Sequence, residues 1–128
     1  MHDLTAIIVF AHGSRDPLWH QPIEAVAQRL RFLQPDTPVA CAYLELTEPS
    51  LTQACDSLLQ QHPGVTGVRI LPMFLGMGKH AREDLPMLVT QLRRMHPRVA
   101  FTLLSAVGET PAVLDAMAAA ALHINRAD

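Results

Sequence analysis

The sequence predicts a three-layer αβα domain built on a four-stranded parallel sheet, with helices on both faces. Three observations predict it. Apolar runs of strand length alternate with amphipathic, helix-length segments four times along the chain. The first run, Thr5-Ala6-Ile7-Ile8-Val9-Phe10-Ala11, is continuously apolar, the pattern of a parallel strand buried on both sides. Proline or glycine punctuates the junctions, and the regular alternation implies right-handed crossovers between parallel strands.

Each element follows from local chemistry. After the first strand, Pro17 opens a helix in which Ile23, Val26, Ala27 and Leu30 recur at helical spacing to about Leu33, and Pro35 and Pro38 stop it. Val39-Ala40-Cys41-Ala42-Tyr43-Leu44 is the second strand. Pro49 suits the first turn of the next helix, where a missing N–H costs nothing. Leu51, Ala54, Cys55, Leu58 and Leu59 form that helix's apolar face, and Pro63-Gly64 ends it. Val65 to Leu71 is the third strand, closed by Pro72. Two close glycines make Phe74-Leu75-Gly76-Met77-Gly78 a loop. A helix follows from about Ala81 to Met95, then a strand over Val99-Ala100-Phe101-Thr102-Leu103-Leu104. An alanine-rich helix from about Pro111 to Ile124 completes a single domain spanning residues 1–128.

Composition narrows the function. Of the 128 residues, 49% are hydrophobic, enough for a real core, and the formal net charge is -2. No basic cluster offers a footprint for a phosphate backbone, and an aromatic content of 5% gives no base-stacking platform, so nucleic acid is not an expected partner. No apolar run approaches the ~20 residues of a membrane helix, and Met1-His2-Asp3-Leu4 has no basic region before the first strand. Neither a signal peptide nor a membrane partner is expected, which points to the cytoplasm. Cys41 and Cys55 fall inside element-like runs and read as small buried hydrophobes, not as a disulfide or a zinc pair.

The chemistry-bearing residues collect at strand ends. In the strand order 2-1-3-4, typical of flavodoxin-like sheets, the order reverses between strands 1 and 3, opening a crevice at their carboxyl ends. His12 follows strand 1, in Ala11-His12-Gly13-Ser14-Arg15, and His80 follows strand 3, in Gly76-Met77-Gly78-Lys79-His80. Glu45 ends strand 2 between two leucines. An imidazole there can bind a borderline divalent metal or take up a proton near neutrality, and the spacing matches no short metal motif. Glu48 just precedes a helix, where the dipole accounts for an acid. Ser14, Arg15 and Lys79 are candidates for an acidic substrate. Gly76 and Gly78 let backbone approach a flat ligand, and Met73, Phe74, Leu75 and Met77 offer apolar area beside His80; loop packing onto the core explains Phe74 and Leu75 equally well. Trp19 reads as a packing residue at a helix start, His20 as an outlying candidate near the mouth, and His62, His96 and His123 as helix-end histidines suited to the dipole. His2 is terminal.

Taken together, Ala11-His12-Gly13-Ser14-Arg15, Tyr43-Leu44-Glu45-Leu46-Thr47-Glu48-Pro49-Ser50-Leu51 and Pro72-Met73-Phe74-Leu75-Gly76-Met77-Gly78-Lys79-His80, with Asp84 and Pro86, resemble the class II chelatases of the CbiX type, over essentially the whole chain. The resemblance implies ATP-independent insertion of Co2+ or Fe2+ into sirohydrochlorin, in cobalamin or siroheme biosynthesis, with the metal as substrate and no tightly bound cofactor. Insertion of Ni2+ is known among related short chelatases. His12 and His80 match the family's metal-binding histidines and Glu45 its active-site acid. The length resembles the short form, which pairs as a homodimer. A non-catalytic carrier of tetrapyrrole or metal on the same fold is the alternative. A phosphate-ester enzyme with His12 as nucleophile and Arg15 and Lys79 on the phosphate is a third reading.

Overall fold

A computed structural model describes residues 4–123. Four strands, β1 (Leu4–Ala11), β2 (Val39–Tyr43), β3 (Val65–Pro72) and β4 (Ala100–Leu103), form one sheet in the order β2-β1-β3-β4. Every neighbouring pair is parallel, so the predicted switch point lies between β1 and β3.

Register sorts the strand residues onto two faces. Ala6, Ile8 and Phe10 stand level with Val68, Ile70 and Pro72. On that face α2 (Leu51–Gln61) and α3 (Lys79–Met95) bury Leu51, Cys55 and Leu58, and Leu85, Val89 and Leu92. Each large apolar side chain removed from water there is worth roughly 1.5–3 kcal/mol. On the opposite face α1 (Gln21–Leu33) packs Ile23 and Ala27 onto Val9, Ala11 and Tyr43. A capping box starts α2: the Ser50 hydroxyl accepts from the Gln53 N–H at 3.2 Å, and the Gln53 side chain accepts from the Ser50 N–H at 2.8 Å.

The last helix, α4 (Pro111–Leu122), buries none of its residues. Arg69, Ala100 and Thr102, which the register puts on the α1 face, are exposed. The expected cover on both faces is therefore fullest over β1, less over β2, where Val39, Ala40 and Cys41 are only partly buried, and partial over β3 and β4. A parallel sheet ordinarily has both faces covered.

Boundaries shift where proline intervenes. The first helix does not run unbroken from Pro17: Pro17–His20 form a 3-10 turn capped by Asp16, and α1 begins at Gln21. Pro22 has no N–H for an α-helical bond back to Leu18, so the ladder restarts there. β2 ends at Tyr43, placing Glu45 in the following loop, and α3 begins at Lys79 rather than Ala81. The expected end of the last helix at Ile124, and His2, lie outside the described residues. Cys41 and Cys55 are free thiols; burial pushes the Cys55 thiol up to about 11, with the nearby Asp56 adding to it. His62, His96 and His123 cap the carboxyl ends of α2, α3 and α4. His96 also meets Asp56 of α2 at 2.9 Å.

Candidate functional site

Backbone hydrogen bonds join three strand ends into one platform. The Leu44 N–H donates to the Ala11 carbonyl at 2.9 Å, the Glu45 N–H to the His12 carbonyl at 3.0 Å, and the Met73 N–H to the Phe10 carbonyl at 2.7 Å. The loop after β1 thus runs against the loop after β2, and the end of β1 itself holds the residue that follows β3. Gly13 makes this possible: its φ is +102°, and a Cβ there would overlap the Glu45 carbonyl oxygen. This close approach to Glu45 is tertiary information.

His12 is exposed and its ring lies against Phe74, centroids 4.3 Å apart. Phe74 is only 2% exposed and meets Phe10 edge-on at 6.2 Å. The expectation that Phe74 lends its face to substrate is therefore corrected: its ring is core, and it backs His12. The reason lies beneath the loop. Gly108 donates its N–H to the Phe74 carbonyl at 3.0 Å, and a Cβ on Gly108 would collide with the Leu75 backbone. Nothing in the local sequence signals that contact. Met73 and Met77 are half-buried, packed on opposite faces of the sheet.

His80 and Lys79 are exposed on the first turn of α3, after the N-cap Gly78, which forms no side-chain cap bond. No atom lies within 4 Å of a Cβ built on Gly76 or Gly78, so this segment borders open space. Ser14 is tied locally: its hydroxyl accepts from the Asp16 N–H at 3.1 Å, leaving its own proton to donate. The Ser14 carbonyl pairs with His20 Nε2 at 2.9 Å, so His20 serves as donor and fastens the loop that carries the exposed Arg15. The His20 ring lies 4.9 Å from Tyr43 and 5.7 Å from Trp19. Burial, with Cys41 and Glu24 adding, pushes the Tyr43 phenol up to about 12, and it stays protonated. Glu48 is exposed on an open cavity of about 310 Å³ that it shares with His20, Glu24, Arg31 and Tyr43.

Among the described residues no three His, Cys, Asp or Glu side chains gather into a group able to hold a metal ion. His12 follows β1, Glu45 lies in the loop after β2 and His80 on the first turn of α3 beyond β3, so all three stand at the carboxyl end of the sheet without forming a three-donor cage.

The fold and this end of the sheet define a class: a parallel α/β domain presenting imidazole and carboxylate groups on open loops at its switch point. The CbiX family model matches residues 6–123, and the chain belongs to the CbiX family. Sirohydrochlorin cobaltochelatase of Methanopyrus kandleri is 29% identical over 83 residues, 65% of this chain and 57% of that protein. The chloroplastic sirohydrochlorin ferrochelatase of Arabidopsis thaliana is 27% identical over 113 residues, 88% of this chain and 49% of its own length. The matched region thus spans about half to three fifths of these two relatives. A crystal structure of a CbiX protein from Marinobacter aquaeolei VT8 superposes with a TM-score of 0.76 at 31% identity, covering 92% of this chain and 94% of that one. The sirohydrochlorin chelatase SirB of Bacillus subtilis, solved with cobalt, shares the fold with a TM-score of 0.75 at 22% identity, over 91% of this chain and 49% of SirB.

Proposed function

We propose that this protein inserts a divalent metal, Co2+ or Fe2+, into sirohydrochlorin without ATP. The observation that carries the reading is His12: an exposed imidazole at the switch point, backed by Phe74 at 4.3 Å and joined through its carbonyl to Glu45, in a chain of the CbiX family. Insertion releases two pyrrole protons as the metal gains four ring nitrogens. His12 and His80 hold the incoming metal by one or two bonds, leaving positions open to the macrocycle. Once relieved of the metal they accept the released protons, and Glu45 relays them or orients an imidazole. An incomplete donor set favours transfer over storage. The substrate's carboxylate fringe suits Arg15, Lys79, the Ser14 hydroxyl and the uncapped amides at the start of α3, while Gly76, Met77 and Gly78 suit its flat face and Met73 adds apolar area beneath it.

The experiment is metalation followed by absorbance, with sirohydrochlorin and Co2+, Fe2+ or Ni2+ in separate series. Multiple turnovers above the uncatalysed rate are expected, with loss of rate in His12→Ala and His80→Ala. Unchanged rates in both variants sink the assigned roles; stoichiometric binding without turnover identifies a carrier.

The working unit in this reading is a homodimer, located in the cytoplasm. Two features support pairing: the chain matches 49% of SirB, leaving room there for a second unit of similar size, and α4 leaves Leu114 45% and Met117 41% exposed beside a partly covered sheet. Light scattering should give twice the chain mass, and Leu114→Glu with Met117→Glu should give monomers. A monomeric wild-type protein rejects the pairing. No helix among the described residues is long and apolar enough to cross a membrane.

A further inference from the structure

We infer that Leu46, with Leu75 as its counterpart, is a substrate-contacting residue that grips the apolar face of the tetrapyrrole; this rests on the metalation reading above. Leu46 directly follows Glu45 and has φ +68°, a left-handed conformation that Cβ sterics disfavour for any residue with a side chain. Glycine or asparagine would relieve it. Among the described residues it is the only non-glycine with positive φ. The side chain is not compensated by burial, since Leu46 is 54% exposed. A residue that is both strained and solvated contributes little to folding, and such outliers concentrate where the backbone serves a ligand.

The placement points to which ligand. Leu46 stands on the loop after β2 and Leu75 on the loop after β3, and β1, carrying His12, runs between those strands. Leu75 is 69% exposed, and its backbone packs directly against Gly108. Two leucines thus stand in solvent on either side of the exposed imidazole. A flat, largely apolar ring brought to His12 for metalation would cover them, and its removal from water would supply binding free energy that neither residue gives to the fold.

The test is steady-state metalation of sirohydrochlorin with Co2+, combined with thermal melting and light scattering. Leu46→Asn should raise KM for sirohydrochlorin roughly tenfold, from the loss of one partly buried leucine, with kcat retained. The same variant should melt at the wild-type temperature or about 2–5 °C above it, because the strain is relieved. Leu46→Met keeps the apolar contact and should keep the wild-type KM. Leu75→Asn, on an independent loop, should raise KM by a similar factor and covers the case in which Leu46→Asn does not fold. An unchanged KM in either Asn variant, a fall in melting temperature that accounts for the lost activity, or a changed oligomeric mass overturns the assignment. If the wild-type protein leaves sirohydrochlorin unmetalated, the functional reading falls with it; if the wild type turns over and the variants match it, only the role of the leucines falls.

Discussion

Gly13 is packed against the carbonyl of Glu45, so the residue after the candidate metal histidine and the candidate acid share one backbone contact. The same two loops are tied by the Glu45 N–H donating to the His12 carbonyl at 3.0 Å. Neither loop backbone can move far without the other.

Gly13→Ala should therefore damage fold and activity together. A Cβ would overlap the Glu45 carbonyl, and φ +102° is strained for alanine. The conformational cost alone is about 1–3 kcal/mol, with the clash adding to it. Urea unfolding should show the loss, and residual metalation should fall further than the folded fraction explains. Wild-type stability in this variant would mean that the loop relaxes freely.

Phe74→Leu separates support of His12 from packing. Shortening this buried ring should cost about 1–2 kcal/mol, well short of unfolding an ordinary domain. The ring behind His12, at 4.3 Å, is lost as well. Metalation at saturating sirohydrochlorin should drop several-fold, while KM stays near wild type. A change confined to melting temperature would leave Phe74 a core residue only.

Gly76→Ala makes the opposite prediction. Nothing lies within 4 Å of a Cβ there, so the fold should tolerate the methyl or gain about 0.4–1 kcal/mol from a stiffer unfolded chain. If the segment faces the macrocycle, KM should rise while thermal stability is unchanged or higher. Unchanged KM would remove Gly76 from the substrate surface.

The buried thiol of Cys55 sets an alkaline limit. Its pKa rises from 9.0 to about 11 through burial, so between those values the unfolded chain releases a proton that the folded chain keeps. The unfolded state then binds fewer protons, and stability falls as pH rises from about 9 to 11. Urea midpoints across this range should decline, and Cys55→Ala should flatten the decline even though it lowers stability at every pH. An equal slope in the variant would assign the decline to other groups, Tyr43 included.

Periodicity and punctuation sufficed for the strands and the principal helices, because burial on one or two faces writes itself into apolar spacing; the sheet order came from the usual flavodoxin-like arrangement, which the structure bears out. His12 and Glu45 stood out for a related reason, since a polar residue directly after an apolar run marks a strand end; His80 instead lies on the first turn of α3, beyond the loop that follows β3. The start of α1 was misread because Pro17 and Pro22 both suit a helix start, and only the second can open the α-helical ladder here. Phe74 was misread because an apolar residue in a glycine-rich loop looks the same whether it faces solvent or core.

The sequence by itself determined an alternating parallel α/β domain and, through its motifs, the resemblance to the CbiX type, since apolar spacing and chain connectivity record which segments are strands and which are helices. Tertiary structure alone decided that Gly13 meets Glu45, that Phe74 backs His12 from above Gly108, and that Leu46 and Leu75 stay in water. Those contacts join residues from about 30 to about 60 positions apart, and no local propensity encodes which distant backbone will occupy the space beside a glycine.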